Sequence, residues 1–223
     1  MCGRYTLTIT EDELTDICGC PKVVPVQVPR YNIAPSQILP VVIVAEGNKQ
    51  ILPMKWGLIP HWAKDIKIGY KMINARFETL SEKPAFKNTL KQRRCIVPAD
   101  GYYEWQETPS GKLPMYISVK DQKVFCFAGL WEQWISPNGT PILSYTIITT
   151  EPANSVAHIH NRMPLILNRE QEEYWLRGLT ANDHYSIETF LSEIRPAQDL
   201  ISYKVSTRVN SPKYDDSQCI EPI

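Results

Sequence analysis

The chain has 223 residues, with 24 Lys and Arg balancing 24 Asp and Glu to a formal net charge of zero. That length can bury a self-sufficient core, and the hydrophobic, aromatic and charged shares are those of an ordinary globular protein. No apolar stretch is long enough to cross a bilayer, and the N-terminus lacks the basic and apolar regions of a signal peptide, so a cytoplasmic location is expected.

No Gly/Ser-rich linker, low-complexity tract or repeat divides the chain, and 18 prolines against 10 glycines suggest many short strands with stiff connections. One domain is expected over residues 1–207, followed by a loosely ordered polar tail over 208–223. Six cysteines, Cys2, Cys18, Cys20, Cys95, Cys126 and Cys219, form no CxxC pair, so free thiols are expected and no metal site. The neutral total hides a segregation. Residues 55–94 hold ten Lys/Arg against three acids, a local net charge of +7, with Trp56, Trp62, Tyr70 and Phe77 interleaved. Such a stretch reads either as a polyanion footprint with stacking surfaces or as a solvated face beside core aromatics.

In chain order, Cys2 to Leu7 reads as a short strand anchoring the terminus. Thr10-Glu11-Asp12-Glu13 matches a capping box, predicting a helix to about Ile17 that stops at Gly19 and Pro21. Residues 21–37 read as a proline-marked loop, and Ile38–Val44 and Gln50–Trp56 as a hairpin turned at Glu46-Gly47-Asn48. Trp56 to Trp62 is too rich in Gly, Pro and aromatics for a regular element and is expected to be a surface loop. A helix is expected over Ser81–Leu90, and strands over Arg94–Pro98, Tyr102–Gln106, Pro114–Val119, Val124–Trp131 and Leu143–Thr150. The last third predicts short helices at Pro152–Ile159, after Asn168 and over Asp183–Ile194, with strands at Met163–Leu167 and Ile201–Val205. The fold class is α+β, a barrel-like antiparallel or mixed β core with peripheral helices.

Three places could carry chemistry. Removal of Met1, expected before a residue as small as cysteine, leaves Cys2 with an α-amine beside its thiol. An aldehyde meeting that pair forms an imine and is then captured by sulfur in a five-membered thiazolidine ring. Glu104 lies in the aromatic run Gly101-Tyr102-Tyr103-Glu104-Trp105; a carboxylate against rings would be raised in pKa and useful for proton transfer, or it simply points outward on an alternating strand. In His158-Ile159-His160-Asn161-Arg162, the two histidines could be half a metal site, but no further ligands are evident. His160 with Arg162 fits better as a proton-transfer group beside an anion-binding fork, or as a hydrogen-bonded loop histidine and a surface arginine.

Six ordered blocks carry a more specific signal: Met1-Cys2-Gly3-Arg4-Tyr5, Arg30-Tyr31-Asn32-Ile33-Ala34-Pro35, Trp56-Gly57-Leu58-Ile59-Pro60, Ile73-Asn74-Ala75-Arg76-Phe77-Glu78-Thr79, Arg94 through Trp105, and His160-Asn161-Arg162-Met163-Pro164. Together they resemble the SRAP family, the SOS-response-associated peptidase or abasic-site processing proteins, with Met163 standing where a second arginine is common. The resemblance implies a sensor of abasic sites in single-stranded DNA that forms a covalent, reversible crosslink through Cys2. Glu104 and His160 would assist ring opening and proton transfer, and Asn74 would hold the lesion and the terminus. By the same resemblance Arg4, Arg76 and Arg162 would clamp phosphates, and Trp62 and Pro35 would wedge against bases. It implies no cofactor, no membrane partner, a monomer, and nucleoid association when DNA-bound. A thiol peptidase or N-terminal-nucleophile amidohydrolase, acting on peptides generally or only on Met1, and a non-catalytic single-strand binder are the competing readings.

Overall fold

The computed structural model describes residues 2–20, 27–177, 187–195 and 197–223. In chain order the described elements are β1 (Arg4–Leu7), α1 (Glu11–Cys18), β2 (Arg30–Ile33), β3 (Ile38–Ala45), β4 (Asn48–Trp56), β5 (Asn74–Arg76), α2 (Pro84–Gln92), β6 (Arg94–Ala99), β7 (Gly101–Thr108) and β8 (Gly111–Val119). They continue through β9 (Phe125–Ile135), β10 (Pro141–Thr150), β11 (Met163–Pro164), β12 (Ile166–Leu167), α3 (Arg169–Leu176), α4 (Ile187–Glu193) and β13 (Leu200–Lys204).

Local chemistry explains most boundaries. Thr10 accepts from the Glu13 amide, Glu13 reaches back to the Thr10 amide at 3.0 Å, and Gly19 ends α1 in the left-handed region at φ 63°. Asn168 and Gln171 repeat that reciprocal cap on α3. The β3–β4 hairpin turns through Glu46 and Gly47, both at positive φ, which matches the strand twist as a two-residue turn should. α2 begins at Pro84, three residues later than expected, because proline at the first helical position needs no donor and already has helical φ.

Two sheets make the body. In the larger, β10 pairs parallel with β4, and antiparallel ladders then run β4–β3, β3–β6, β6–β9 and β9–β10, closing a five-strand mixed barrel. The second sheet runs β13-β8-β7-β1-β2. They meet at an aromatic seam in which Tyr5 lies edge-on to Trp56 (5.2 Å) and Phe127 (5.8 Å), and Tyr102 edge-on to Phe127 (6.1 Å). Tyr5 and Tyr145 join hydroxyls across the seam at 2.8 Å. The α+β class and the mixed barrel core are as expected.

Four further details differ from expectation. Strand β2 forms inside the expected loop 21–37, because Arg30–Ile33 pairs with β1. Residues 154–159 make consecutive turns instead of a helix, with Val156 bonding Ala153 and Ile159 bonding Val156 in an i to i−3 pattern. The strand expected over Met163–Leu167 divides, β11 pairing with β10 and β12 with β9. The Trp56–Trp62 segment is largely core: Trp56 donates Nε1–H to the Ile73 carbonyl at 2.9 Å, Leu58 and Ile59 are buried, and only His61 and Trp62 reach solvent. The start of the helix expected from Asp183 lies outside the described residues.

The polar stretch after residue 207 is fastened down. The fully buried Asn32 places Nδ2 within hydrogen-bond distance of the Val209, Ser211 and Tyr214 carbonyls, while Asp215 takes the Tyr31 and Asn32 amides and pairs with Arg30. Polar composition alone suggests looseness, but these donors come from a distant strand and leave no local signature. Asn32→Ala strands buried carbonyls at a cost of about 3 kcal/mol, which for a chain of this size lowers Tm by about 6–12 °C. A thermal melt within a degree of wild type would show that Asn32 does not fasten this segment.

Candidate functional site

Strands from both sheets converge on Cys2. β1 lies antiparallel to β7, Arg4 opposite Tyr103 and Tyr5 opposite Tyr102, so the register continued outward lays Cys2 and Gly3 beside Glu104 and Trp105. From the barrel, β5 runs parallel to β10 with Asn74 opposite Ile147, and Asn74 Nδ2 donates to the Cys2 carbonyl at 2.7 Å. Cys2 is fully buried, its thiol 3.8 Å from the Arg4 carbonyl. Burial first, then the negative charge of Glu104, push this thiol far above the ordinary cysteine range.

Glu104 is 3% exposed, which settles the choice left open by the strand pattern. Alternation along β7 places it on the face of Tyr102, toward the main core, while Tyr103 and Trp105 face the C-terminal segment. Loss of hydration raises its carboxyl pKa, and the positive influence of His160 partly opposes that rise. His160 sits in the β10–β11 connection, where Nδ1 is 3.0 Å from the Arg162 amide nitrogen. The same Nδ1 lies 3.2 Å from the Arg162 carbonyl, so the ring is held in place by the Arg162 backbone. Glu104 and His160 line one open cavity of about 430 Å³ together with Trp105, Lys112 and Asn210. Two polar atoms at this seam, Asn74 Oδ1 and the Tyr102 hydroxyl, are buried with no hydrogen-bond partner among the described residues.

The remaining sequence-predicted residues are placed differently from one another. Arg162 forks onto Glu78 at 2.7 and 3.0 Å and also donates to the Thr149 carbonyl. Arg4 donates to Asn32 Oδ1 at 2.7 Å and to the Val209 and Asn210 carbonyls, so its guanidinium pins the C-terminal segment. Arg76 is exposed and makes no ion pair within 4 Å among the described residues. Pro35 sits half-buried in the turn before β3. Trp62, 52% exposed, lines a separate depression with Lys64, Lys67 and Lys71. Of the four aromatics interleaved in the basic stretch, Trp62 and Tyr70 are exposed, whereas Trp56 is core and Phe77 packs against it.

The cavity also contains residues that sequence reasoning passed over. Trp105 was visible inside the aromatic block, and its Nε1–H donates to Asn210 Oδ1 at 2.7 Å. Lys112 and Asn210 arrive from the start of β8 and from the C-terminal segment; only the strand pairing brings them here, and no local motif marks either.

The fold and the site together define a class: an α+β barrel domain whose second residue, Cys2, is fully buried under the influence of a raised carboxyl group, Glu104, that shares an open cavity with an imidazole, His160. The chain belongs to the SOS response associated peptidase (SRAP) family, whose model matches residues 1–212. It is 45% identical over 224 residues to the abasic site processing protein YoqW of Bacillus subtilis (strain 168), covering 99% of each chain. It is 34% identical to the abasic site processing protein HMCES of Gallus gallus, covering 87% of this chain and 66% of that one. A crystal structure of a Bacteroides thetaiotaomicron protein superposes with a TM-score of 0.85 at 25% identity, covering all of both chains.

Proposed function

We propose that the chain processes abasic sites in single-stranded DNA, and that Cys2, once Met1 is removed, captures the lesion as a reversible thiazolidine crosslink that shields it. The open form of an abasic deoxyribose carries an aldehyde at C1′. The Cys2 amine adds to it and the oxygen leaves as water, giving an imine. The Cys2 sulfur then adds to the imine carbon while the thiol proton passes to nitrogen, closing the ring without any change of oxidation state. The observation that carries this reading is a buried carboxyl group, Glu104, whose pKa is raised, whose charge bears on Cys2, and which lines an open cavity with His160. Glu104 takes and returns the protons of ring opening and thiol addition, with His160 as its partner.

Asn74 supports the same chemistry from the other sheet. Its Nδ2 holds the Cys2 carbonyl, and its unpartnered Oδ1 is an acceptor for the amine that loss of Met1 creates. Arg76 is free to meet a phosphate and Trp62 to stack on a base, with Pro35 beside the path. Arg162 and Arg4 support that grip from behind, Arg162 by holding Glu78 and Arg4 by holding the C-terminal segment. The protein acts as a monomer in the cytoplasm, on the nucleoid when bound to DNA. The names of the relatives support the lesion as substrate.

The thiol argues against a general cysteine peptidase. Such nucleophiles have a pKa lowered by a neighbouring cation, whereas burial and Glu104 move Cys2 the other way. We read any peptidase activity as release of Met1. Incubation with single-stranded DNA bearing one abasic site is expected to give an adduct that survives denaturing electrophoresis, with no cleavage of peptides lacking DNA. Absence of the adduct from protein whose intact mass shows Met1 removed would overturn the reading.

A further inference from the structure

The cavity raises a question about phosphate. Glu104 and His160, the proposed proton-transfer pair, line this cavity, so a deoxyribose they act on brings its flanking phosphodiesters to the rim, and a phosphate held there needs donors that are not already spent. Arg4 is committed to three oxygens of the protein itself, and Arg162 is forked onto Glu78. Among the described residues lining the cavity, Lys112 carries the fixed positive charge. Its side chain is 68% exposed and has only a loose partner, Glu107, at 3.8 Å and itself 85% exposed. A surface pair of that kind gives way readily to a phosphate.

Asn210 lies on the same cavity with its amide orientation fixed. Oδ1 accepts from Trp105 Nε1 at 2.7 Å and the Asn210 carbonyl accepts from Arg4 at 3.2 Å, so the Nδ2 hydrogens remain as donors. We propose that Lys112 Nζ and Asn210 Nδ2 form a phosphate subsite on the rim of this cavity, holding a phosphodiester that flanks the abasic deoxyribose. The inference rests on the lesion reading above and adds a role for the C-terminal segment: it delivers Asn210 to the site, held from behind by Arg4 and Asn32.

The test compares wild type with Lys112→Gln, Lys112→Arg and Asn210→Asp. Binding is measured by fluorescence anisotropy, over a series of salt concentrations, on a single strand carrying a tetrahydrofuran abasic analogue that cannot open to an aldehyde. Crosslinking rate is measured against the concentration of a true abasic strand. Lys112→Gln is expected to weaken binding roughly 5-fold near 0.1 M salt and to reduce the log–log salt slope by about 0.7, the loss of one single-strand phosphate contact. Lys112→Arg restores both. Asn210→Asp keeps the Trp105 bond but sets a carboxylate against the phosphate, and weakens binding at least as much. Saturating crosslinking rates stay within about 2-fold of wild type, since both groups position and neither reacts. Unchanged affinity and slope in Lys112→Gln and Asn210→Asp would overturn the subsite, as would a reduced saturating rate with unaltered binding. If wild type forms no adduct at all, the lesion chemistry is lost, yet the salt slopes on the analogue still decide the subsite.

Discussion

Cys2→Ser is expected to lower the yield of denaturation-resistant adduct on abasic single-stranded DNA by about 10³-fold or more, the loss that follows when a covalent nucleophile is removed. The amine of a serine terminus still forms an imine, but a hydroxyl closes a far less stable ring and the imine hydrolyses. Protein that retains Met1 shows the same defect for the complementary reason, since its thiol has no neighbouring amine. Binding to a strand with the tetrahydrofuran analogue is retained in both, because the Asn74 bond to the Cys2 carbonyl involves neither the thiol nor the amine. A Cys2→Ser protein that crosslinks at the wild-type rate would exclude sulfur from the linkage.

Glu104→Gln carries the second large effect, a fall in the crosslinking rate of roughly 10²–10⁴-fold, the usual contribution of a positioned acid or base. Burial raises the Glu104 carboxyl pKa, so in wild type the rate climbs with pH as this group ionises, above the usual carboxylate range. The glutamine variant loses that limb of the profile. Its stability moves the opposite way. With the folded pKa above the unfolded one, the native protein holds a proton that the unfolded chain has already lost, and wild-type stability falls as pH rises through that window. Glu104→Gln removes this cost, so its melting temperature equals or exceeds that of wild type above the window, and the difference shrinks below the ordinary carboxylate range. A variant both inactive and more stable is the mark of a group kept for chemistry. A variant that is destabilised at pH 8 and fully active would assign Glu104 to structure.

Residues whose signal is local were the ones legible from sequence. The Thr10 capping box, the Glu46-Gly47 turn and the run of strands from Arg94 to Thr150 each follow from short-range preferences, and together they gave the α+β class. Glu104 was legible as a choice, inward or outward, and burial decided it. What could not be read depended on pairings between distant segments. Strand β2 exists because β1 is there to pair with it, and Trp56 is core because Tyr145 stacks on it with planes 11° apart. The same holds for charge. The sequence displays Arg4, Arg76 and Arg162 as equivalent cations, but only the fold shows that Arg4 is tied to the C-terminal segment and Arg162 to Glu78, leaving Arg76 and Lys112 exposed. Nothing near Lys112 or Asn210 in the sequence marks them as neighbours of Glu104.

The central claim is that the terminal aminothiol of Cys2 bonds to the abasic aldehyde. Peptide mapping of the purified adduct by mass spectrometry, after digestion of both protein and DNA, tests it directly. The expected result is a modified peptide that begins at Cys2, lacks Met1, and carries the deoxyribose remnant with the loss of one water, unchanged by borohydride because the imine has closed to a ring. A remnant on a lysine such as Lys112, or on a peptide that still begins with Met1, would contradict it.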